Sequence, residues 1–564
     1  MATKFVFIVG GVMSGVGKGT VTASLGCLLR GKGFRVTCMK IDPYVNVDAG
    51  TMNPTEHGEV FVTDDGDETD QDIGSYERFL GVSLGKVNYM TTGRVYRSVI
   101  ERERNLEYGG RCVEVVPHIP EEVIRRIRAA ASAQHADIVL IEVGGTVGEY
   151  QNVLFLEAAR LLKLERPSDV CTVLVSYLPI PGHIGEMKTK PTQHATHLLQ
   201  AAGIQPDIII ARGERALDEP RRRKLSMFCN VGPDDVIAAP DVASTYEVPL
   251  NFDRERVGER VLRRIGLRPR RPDLRAWTTL VRTIRSVRKE ARIAVVGKYF
   301  TTGDFVLADV YLSVIEAVKH AAWAHRRKPV LTWVNAEAYE RDPACVAELS
   351  AFDGVIIPGG FGTRGVEGKI LAIRYVREHR IPYLGLCYGM QLACVEFARD
   401  VLHLRGANTT EIDPKNKYPV IGLMTEQARR LAESEYGGTM RLGAYACRVA
   451  AGTISAAAYA GSARVERTYG KGDLRISERH RHRYEFHNRY RDRFTKAGMV
   501  FSGINPDRDL VEIIELPRDV HPFFVGVQFH PEFTSRPLDP HPLFRAFIGA
   551  AVKRRGAKGM DPPS

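Results

Sequence analysis

Nowhere in the 564 residues does an apolar run approach the ~18–20 residues of a bilayer-spanning helix, which excludes a helical membrane protein. The nine cysteines are scattered, odd in number and never spaced C-x-x-C, which argues against a disulfide framework or a zinc ribbon. A reducing, cytoplasmic compartment is the expectation. The opening Met1-Ala-Thr-Lys-Phe-Val-Phe-Ile-Val-Gly10 has neither the long apolar core nor the cleavage site of a signal peptide and reads as a strand. No internal repeat or long low-complexity tract is present. Hydrophobic residues at 44% and charged ones at 26% exclude a disordered or collagen-like chain. What the chain does have is basic charge: Lys plus Arg number 79 against 67 Asp plus Glu, a net +12. Such an excess speaks to steering of anionic partners, nucleic acid or small anions, and not to fold. One hydrophobic core stops growing at about 250–300 residues, so more than one domain is expected.

Two strand-rich α/β halves flank a basic connector. In the first, Phe5–Val9, Arg35–Ile41, Asp137–Glu142, Cys171–Ser176 and Asp207–Ala211 are short apolar runs between helical patterns, as in βαβ units of a parallel sheet. The connector Gly266-Leu-Arg-Pro-Arg-Arg-Pro-Asp-Leu-Arg275 leads into an amphipathic stretch, Trp277–Glu290. A fresh strand, Ala291–Gly297, restarts the pattern, followed by Val330–Val334, Gly354–Pro358, Tyr383–Leu386 and Phe523–Phe529. The expected organisation is residues 1–268, a linker with a short helix at 269–290, a second α/β domain at 291–553 and a disordered tail at 554–564.

The run Gly10-Gly-Val-Met-Ser-Gly-Val-Gly-Lys-Gly-Thr20 lies between the first strand and a predicted helix, about Thr20–Arg30. Glycines let backbone N–H groups turn inward, Lys18 offers a point charge, and the helix offers its positive end to phosphate. Against the usual G-x-x-x-x-G-K-[ST] pattern, Val12 takes the first Gly position and Gly19 the Ser/Thr position. Magnesium for triphosphate chemistry needs carboxylates. Asp64-Asp-Gly-Asp-Glu-Thr-Asp-Gln-Asp72 is a dense acidic loop, and Glu142 ends a buried strand ahead of Gly144-Gly-Thr146. Asp72 and Glu142 are the better candidates and Asp64, Asp65 and Asp67 read as a solvated turn, although spacing alone does not choose among neighbours. Lys188-Thr-Lys-Pro-Thr-Gln193, opening a predicted helix over 192–202, is a second anion-binding candidate.

In the second half Gly385-Leu-Cys387-Tyr-Gly389 sits between an apolar strand and a helical pattern, the cysteine analogue of a nucleophile elbow. His530, at the end of the Phe523–Phe529 strand with Glu532 two residues on, supplies a base and its orienting carboxylate. Pro358-Gly-Gly-Phe-Gly362 follows a third strand; a glycine N–H there, with that of Tyr388, suits an oxyanion hole.

These residues carry a resemblance. PGGFG, GLCYGMQ and QFHPE resemble class I, triad-type glutamine amidotransferase domains, and the combination with Met39-Lys-Ile-Asp-Pro-Tyr44, Glu68–Asp72, Glu142–Gly148 and Lys188–His194 resembles the CTP synthase family, from residue 3 to about 550. The resemblance implies a P-loop-type amidoligase domain that uses ATP to activate UTP. It also implies a glutaminase domain whose ammonia completes CTP. By position it implies Gly15, Val16, Gly17, Lys18, Gly19, Thr20, Asp72, Pro240, Asp241 and Val242 at ATP, with Asp72 and Glu142 on Mg²⁺. It puts Ser14, Glu149, Tyr150, Gln151, Lys188, Thr189, Lys190, Pro191, Thr192, Gln193 and Lys224 at UTP or the inhibitor CTP. Glutamine would meet Gly360, Tyr388, Gly389, Met390, Gln391, Glu411 and Arg483, with Cys387, His530 and Glu532 catalytic. GTP as activator, a homotetramer and sometimes filaments are further implications; neither nucleic acid nor membrane is.

Two departures stand out. Where the family reads D-I-E-S after Gly148, this chain has Glu149-Tyr-Gln-Asn152, which bears on CTP feedback. Where the family has Y-K-S, it has Tyr311-Leu312-Ser313, which bears on GTP activation. Two rival readings remain at this point. One is a cobyrinate-amidase-type glutamine amidotransferase. The other is a nucleic-acid-binding regulator with a degenerate glutaminase-like domain, supported by Arg221-Arg-Arg-Lys224 and Glu478–Glu485.

Overall fold

A computed structural model describes residues 2–11, 13–183, 185–297, 301–302, 305–306, 308–423 and 440–559. Val12 of the glycine-rich run and residues 560–564 of the expected tail lie outside them. The chain divides into two compact units, one of Met1–Ala49 and Thr69–Val281, the other of Gly50–Glu68 and Arg282–Ser564.

The first unit is built on a seven-stranded sheet. Its strands are β1 (Lys4–Gly10), β2 (Val36–Asp42), β3 (Tyr89–Thr91), β4 (Ile138–Val143), β5 (Val170–Tyr177), β6 (Ile208–Gly213) and β7 (Val236–Pro240). They run in the order β3-β2-β4-β1-β5-β6-β7, and every pairing is parallel. The five strands read from sequence are recovered within two residues. Their near-continuous apolar runs follow from burial on both faces, which parallel sheets with crossover helices require. The three-residue β3 and the half-buried β7 escaped the sequence reading because neither carries a long β-branched run. Helix Arg275–Ser286 begins on this unit: Trp277 is buried, donates its indole N–H to the Tyr246 carbonyl (2.7 Å) and lies beside Phe79.

The second unit holds a ten-stranded mixed sheet. Its strands are β8 (Glu290–Gly297), β9 (Lys328–Asn335), β10 (Gly354–Ile357), β11 (Tyr383–Leu386), β12 (Arg441–Val449), β13 (Val465–Thr468), β14 (Leu474–His482), β15 (Val500–Ile504), β16 (Val511–Glu515) and β17 (Phe524–Val527). The order is β9-β8-β10-β11-β17-β16-β15-β12-β14-β13. Pairing is parallel from β9 to β17 and antiparallel beyond. The parallel strands were legible; the antiparallel wing was not, because β14 reads Leu-Arg-Ile-Ser-Glu-Arg-His-Arg-His, a polar tract. The helix Pro542–Ala557 corrects the expected tail: residues 554–557 are its last turn, and Arg555 is buried against Asp353 (3.3 Å).

Candidate active site

In the first unit β1 delivers the glycine-rich loop to the start of helix Lys18–Gly31. Gly15 and Gly17 have φ of 72° and 86°, the left-handed region that a side chain disfavours. Lys18 is buried and donates from Nζ to the Gly145 carbonyl (2.6 Å). Burial pulls its ammonium below the usual lysine range, although Glu142 and Asp72 favour the charge. The missing Ser/Thr has a local reason: a Cβ at Gly19 would overlap the Asp72 carboxylate.

Asp72 is thus brought to the glycine-rich loop, and Glu142 joins it through a residue to which the sequence reading gave no role. Lys40, buried in β2, places Nζ 2.9 Å from Glu142 Oε1, in contact with Asp72, and 3.8 Å from Asp42. Tyr76 donates its hydroxyl to the other Glu142 oxygen. Burial, and then the charge of Glu142, push Asp72 up to about 8 against the pull of Lys40. Buried Glu142 and half-buried Asp72, which both reach one cation, form a donor set suited to Mg²⁺, which is held by one or two carboxylates plus phosphate oxygens. A lysine interrupting an otherwise apolar strand was the signal for Lys40.

The remaining first-unit candidates are distributed around this centre. Thr20 shares a cleft of about 150 Å³ with Pro240, Asp241 and Val242, and Arg212 in that wall bonds Asp241 (2.6 Å). Ser14 is exposed on the loop. Lys188 pairs with Glu186 (2.7 Å), to which Arg221 also reaches (3.1 Å); Lys224 is exposed one turn on from Arg221 along helix Glu219–Cys229. Thr192 is buried on Ser176 of β5 (2.8 Å), and Gln193 bonds Thr189 (3.1 Å) at the start of helix Lys190–Ala201. Glu149 accepts from Thr146 N–H (3.0 Å) and from Gln151 (2.6 Å). Partial burial opposes its charge, but these bonds hold it below the usual carboxylate range. Tyr150 is 98% exposed.

In the second unit Cys387 stands between β11 and helix Tyr388–Asp400 with φ 48° and ψ −96°, a strained elbow. The flanking glycines are obligatory. A Cβ at Gly385 would lie 2.5 Å from the Tyr383 hydroxyl, and one at Gly389 would overlap the Ile357 carbonyl. His530 Nδ1 contacts Glu532 Oε1 at 2.7 Å, and its Nε2 is buried with no hydrogen-bond partner. Burial disfavours the imidazolium, but Glu532 and Cys387 outweigh it and push His530 up to about 10. A Cβ at Gly359 would meet His530 Cε1 at 2.9 Å, so the glycine loop lies directly on that imidazole.

A cavity of about 620 Å³ opens on this group. Gly360, Cys387, Gln391, Glu411, Arg483, His530 and Glu532 all line it. Tyr388, Gly389 and Met390 are buried beneath it as part of the elbow, with the Tyr388 hydroxyl on the Gly362 carbonyl (3.0 Å). Glu411 accepts from the Gly362 N–H (2.8 Å), and Gln391 donates to the Tyr484 carbonyl (2.9 Å). The sequence reading missed Gln528, whose amide stands 3.6 Å from Cys387 Sγ. The basic tract Glu478–Glu485 is no exposed patch: Arg479 and His480 are fully buried in β14, and Arg481 and Arg483 line the cavity. A broader cleft of about 710 Å³ around Thr453 and Glu515 holds none of these groups. Among the described residues no helix is long and apolar enough to cross a membrane. All nine cysteines are free.

The CTP synthase N-terminus model matches residues 4–267, and the class-I glutamine amidotransferase model matches 306–550. A curated CTP synthase of Thermococcus gammatolerans is 50% identical over 98% of this chain and 99% of its own. Those of Pyrococcus abyssi and Nostoc punctiforme are 49% and 48% identical over 99% and 98% of this chain, and 99% and 97% of theirs. The chain belongs to the CTP synthase family. A solved glutaminase domain of Trypanosoma brucei CTPS with bound acivicin is 34% identical over 47% of this chain and 94% of its own, with a TM-score of 0.41. Membership, with matches that span both halves, leaves the cobyrinate-type alternative unsupported.

Proposed function

We propose that this chain aminates UTP to CTP, using ATP to activate the 4-oxygen and glutamine, or ammonia, as nitrogen donor. The observation that carries the reading is the pairing, in one chain of this family, of a lysine-bearing glycine-rich loop beside the carboxylates of Asp72 and Glu142 with an elbow cysteine beside an imidazole–carboxylate pair.

At the glutaminase site the Cys387 sulfur attacks the glutamine δ-carbonyl. N–H groups of Gly360 and Tyr388 meet the developing oxyanion at the helix N-terminus. His530, held by Glu532, gives its proton to the departing ammonia and then takes one from the water that cleaves the thioester to glutamate. Glu411 and Arg483 suit the ammonium and carboxylate ends of glutamine. At the synthetase site the UTP 4-oxygen takes the γ-phosphoryl group, releasing ADP; ammonia attacks C4 and phosphate leaves. Lys18 and the loop glycines from Gly15 to Thr20 hold the ATP phosphates, and Pro240–Val242 the adenine. Ser14, Lys188–Gln193 and Lys224 take the pyrimidine nucleotide. Asp72 and Glu142 would hold Mg²⁺, which when bound neutralises charge on the transferring phosphoryl group. Ammonium is not a nucleophile, so keeping ammonia from water between its release and its use protects it.

The same reading takes CTP as feedback inhibitor at Glu149–Gln151, GTP as activator, and a cytoplasmic homotetramer able to stack into filaments. It divides the chain into an amidoligase domain at 1–268, a linker at 269–290 and an amidotransferase domain from 291. The test is product formation: UTP, ATP, Mg²⁺ and glutamine should give CTP, ADP, phosphate and glutamate. Cys387→Ala should end glutamine-dependent but not ammonia-dependent CTP formation. Folded protein that makes no CTP from either source refutes the proposal.

A further inference from the structure

Residues Gly50–Glu68 fall inside the stretch matched by the N-terminal family model, yet they belong to the second compact unit. What they touch there is the catalytic apparatus. The buried ring of Phe61 meets Phe533 edge-on, with centroids 5.0 Å apart, and Phe533 stacks flat on the His530 imidazole at 5.1 Å and 16°. Beside them Arg479, wholly buried, donates from Nε to Asp64 (2.5 Å) and from Nη1 to the Val62 carbonyl (3.1 Å). Its guanidinium carbon stands 5.3 Å over the Phe61 ring. The carbonyl of the same Arg479 accepts the His530 backbone N–H at 2.8 Å. Two residues on, Arg481 donates from Nε to Glu68 (2.9 Å), while its carbonyl faces Cys387 Sγ at 3.9 Å. The turn that presents Asp64 is pinned in turn, since the Ala444 N–H donates to the Asp64 carbonyl at 2.9 Å.

Alternate residues of β14 therefore hold the 61–68 segment with their side chains and the catalytic pair with their carbonyls. A side-chain stack from Phe61 through Phe533 reaches the His530 imidazole itself. We infer that Phe61, Asp64 and Glu68 are positioning residues for glutamine hydrolysis, acting through Arg479, Arg481 and Phe533 to hold His530 and Cys387 in register. An imidazole whose Nδ1 is already held by Glu532 keeps one freedom, tilt about that bond, and the Phe533 face removes it. Positioning of this kind acts on the chemical step, because proton transfer and attack depend steeply on geometry while the groups that suit the ends of glutamine, Glu411 and Arg483, are untouched.

The inference rests on the glutaminase reading and is tested separately from it. In full-length protein, Asp64→Asn removes the charge facing Arg479 at a half-exposed side chain. Its kcat for glutamine hydrolysis should fall about tenfold, KM should stay within about twofold, and ammonia-dependent CTP formation should stay within about twofold of wild type. Asp64→Glu should recover at least about half of the lost kcat. Phe61→Leu, which keeps an apolar side chain but removes the ring edge, should show the same kcat-against-KM split; if it does not fold, the Asp64 pair decides. An unchanged kcat, a loss carried by KM, or equal loss with both nitrogen sources in Asp64→Asn overturns the inference. Wild-type protein that hydrolyses no glutamine overturns the glutaminase reading instead.

Discussion

Replacing Gly389 by alanine places a methyl group against a backbone that has no room to move. The added Cβ would overlap the Ile357 carbonyl oxygen and lie 3.1 Å from its carbon. Ile357 ends β10, is fully buried, and is in register with Gly385 of β11, the strand that leads into Cys387. Neither strand can retreat without breaking the central ladder, so the helix Tyr388–Asp400 must lift by roughly 1 Å, an overpacking strain of about 1–3 kcal/mol. Cys387 caps that helix and moves with it. A displacement of about 1 Å from attack geometry costs on the order of 100-fold in rate. That corresponds to about 2.7 kcal/mol of barrier. Gly389→Ala should therefore lower kcat/KM for glutamine about 100-fold while ammonia-dependent CTP formation persists, read by following CTP with each nitrogen source. Gly470→Ala is the control, since a Cβ there meets nothing within 4 Å. Glutamine-dependent activity within about threefold of wild type would refute the elbow argument, because the overlap would then have been absorbed without moving Cys387.

Lys18→Ala should end CTP formation with either nitrogen source while glutamine hydrolysis continues, measured as glutamate release, since the lysine serves only the phosphate loop. Lys40→Met leaves buried Glu142 and half-buried Asp72 without their shared cation. Breaking such a pair costs about 3–5 kcal/mol, and added Mg²⁺ should recover part of it in urea unfolding followed on the first unit. His530 gives a pH signature. Its folded value is about 10 against an ordinary 6.5, so its stabilising contribution is complete below pH 6.5 and is lost as pH rises through about 10. The stability difference between wild type and His530→Gln should accordingly shrink by roughly 1.4 kcal/mol per pH unit across that window, and a difference that grows with pH would contradict the assigned pair.

How much of this was legible in the sequence follows from what each residue faces. Parallel strands buried on both sides announce themselves as apolar runs, so β1, β2, β4, β5, β6, β8, β10, β11 and β17 were readable, and with them the strand ends that carry the phosphate loop, Glu142, Cys387 and His530. The elbow was readable for a second reason: its glycines are forced by contacts within a few residues or with an adjacent strand. β14 failed on both counts. Its Arg479 is buried because its charge is met by Asp64, 415 positions earlier, and no local pattern encodes a partner that distant. The same holds for Lys40, whose three carboxylates come from β2 itself, from β4 and from the helix after the acidic loop. Buried charge is permitted only where an opposite charge arrives from elsewhere in the fold. A lone Lys or Arg in a tract that must be a strand is therefore the sequence's indirect notice of such a partner, even though it does not say which one. That argument also redistributes the +12. Lys40 and Arg479 sit inside the protein neutralising Asp72, Glu142 and Asp64, and Lys188 and Arg221 face Glu186. Of the basic tracts that first suggested nucleic acid, Glu478–Glu485 is internal counter-charge, while Arg221 is paired at the surface and Arg223 and Lys224 are exposed, so an RNA titration should find only weak binding that disappears with added salt.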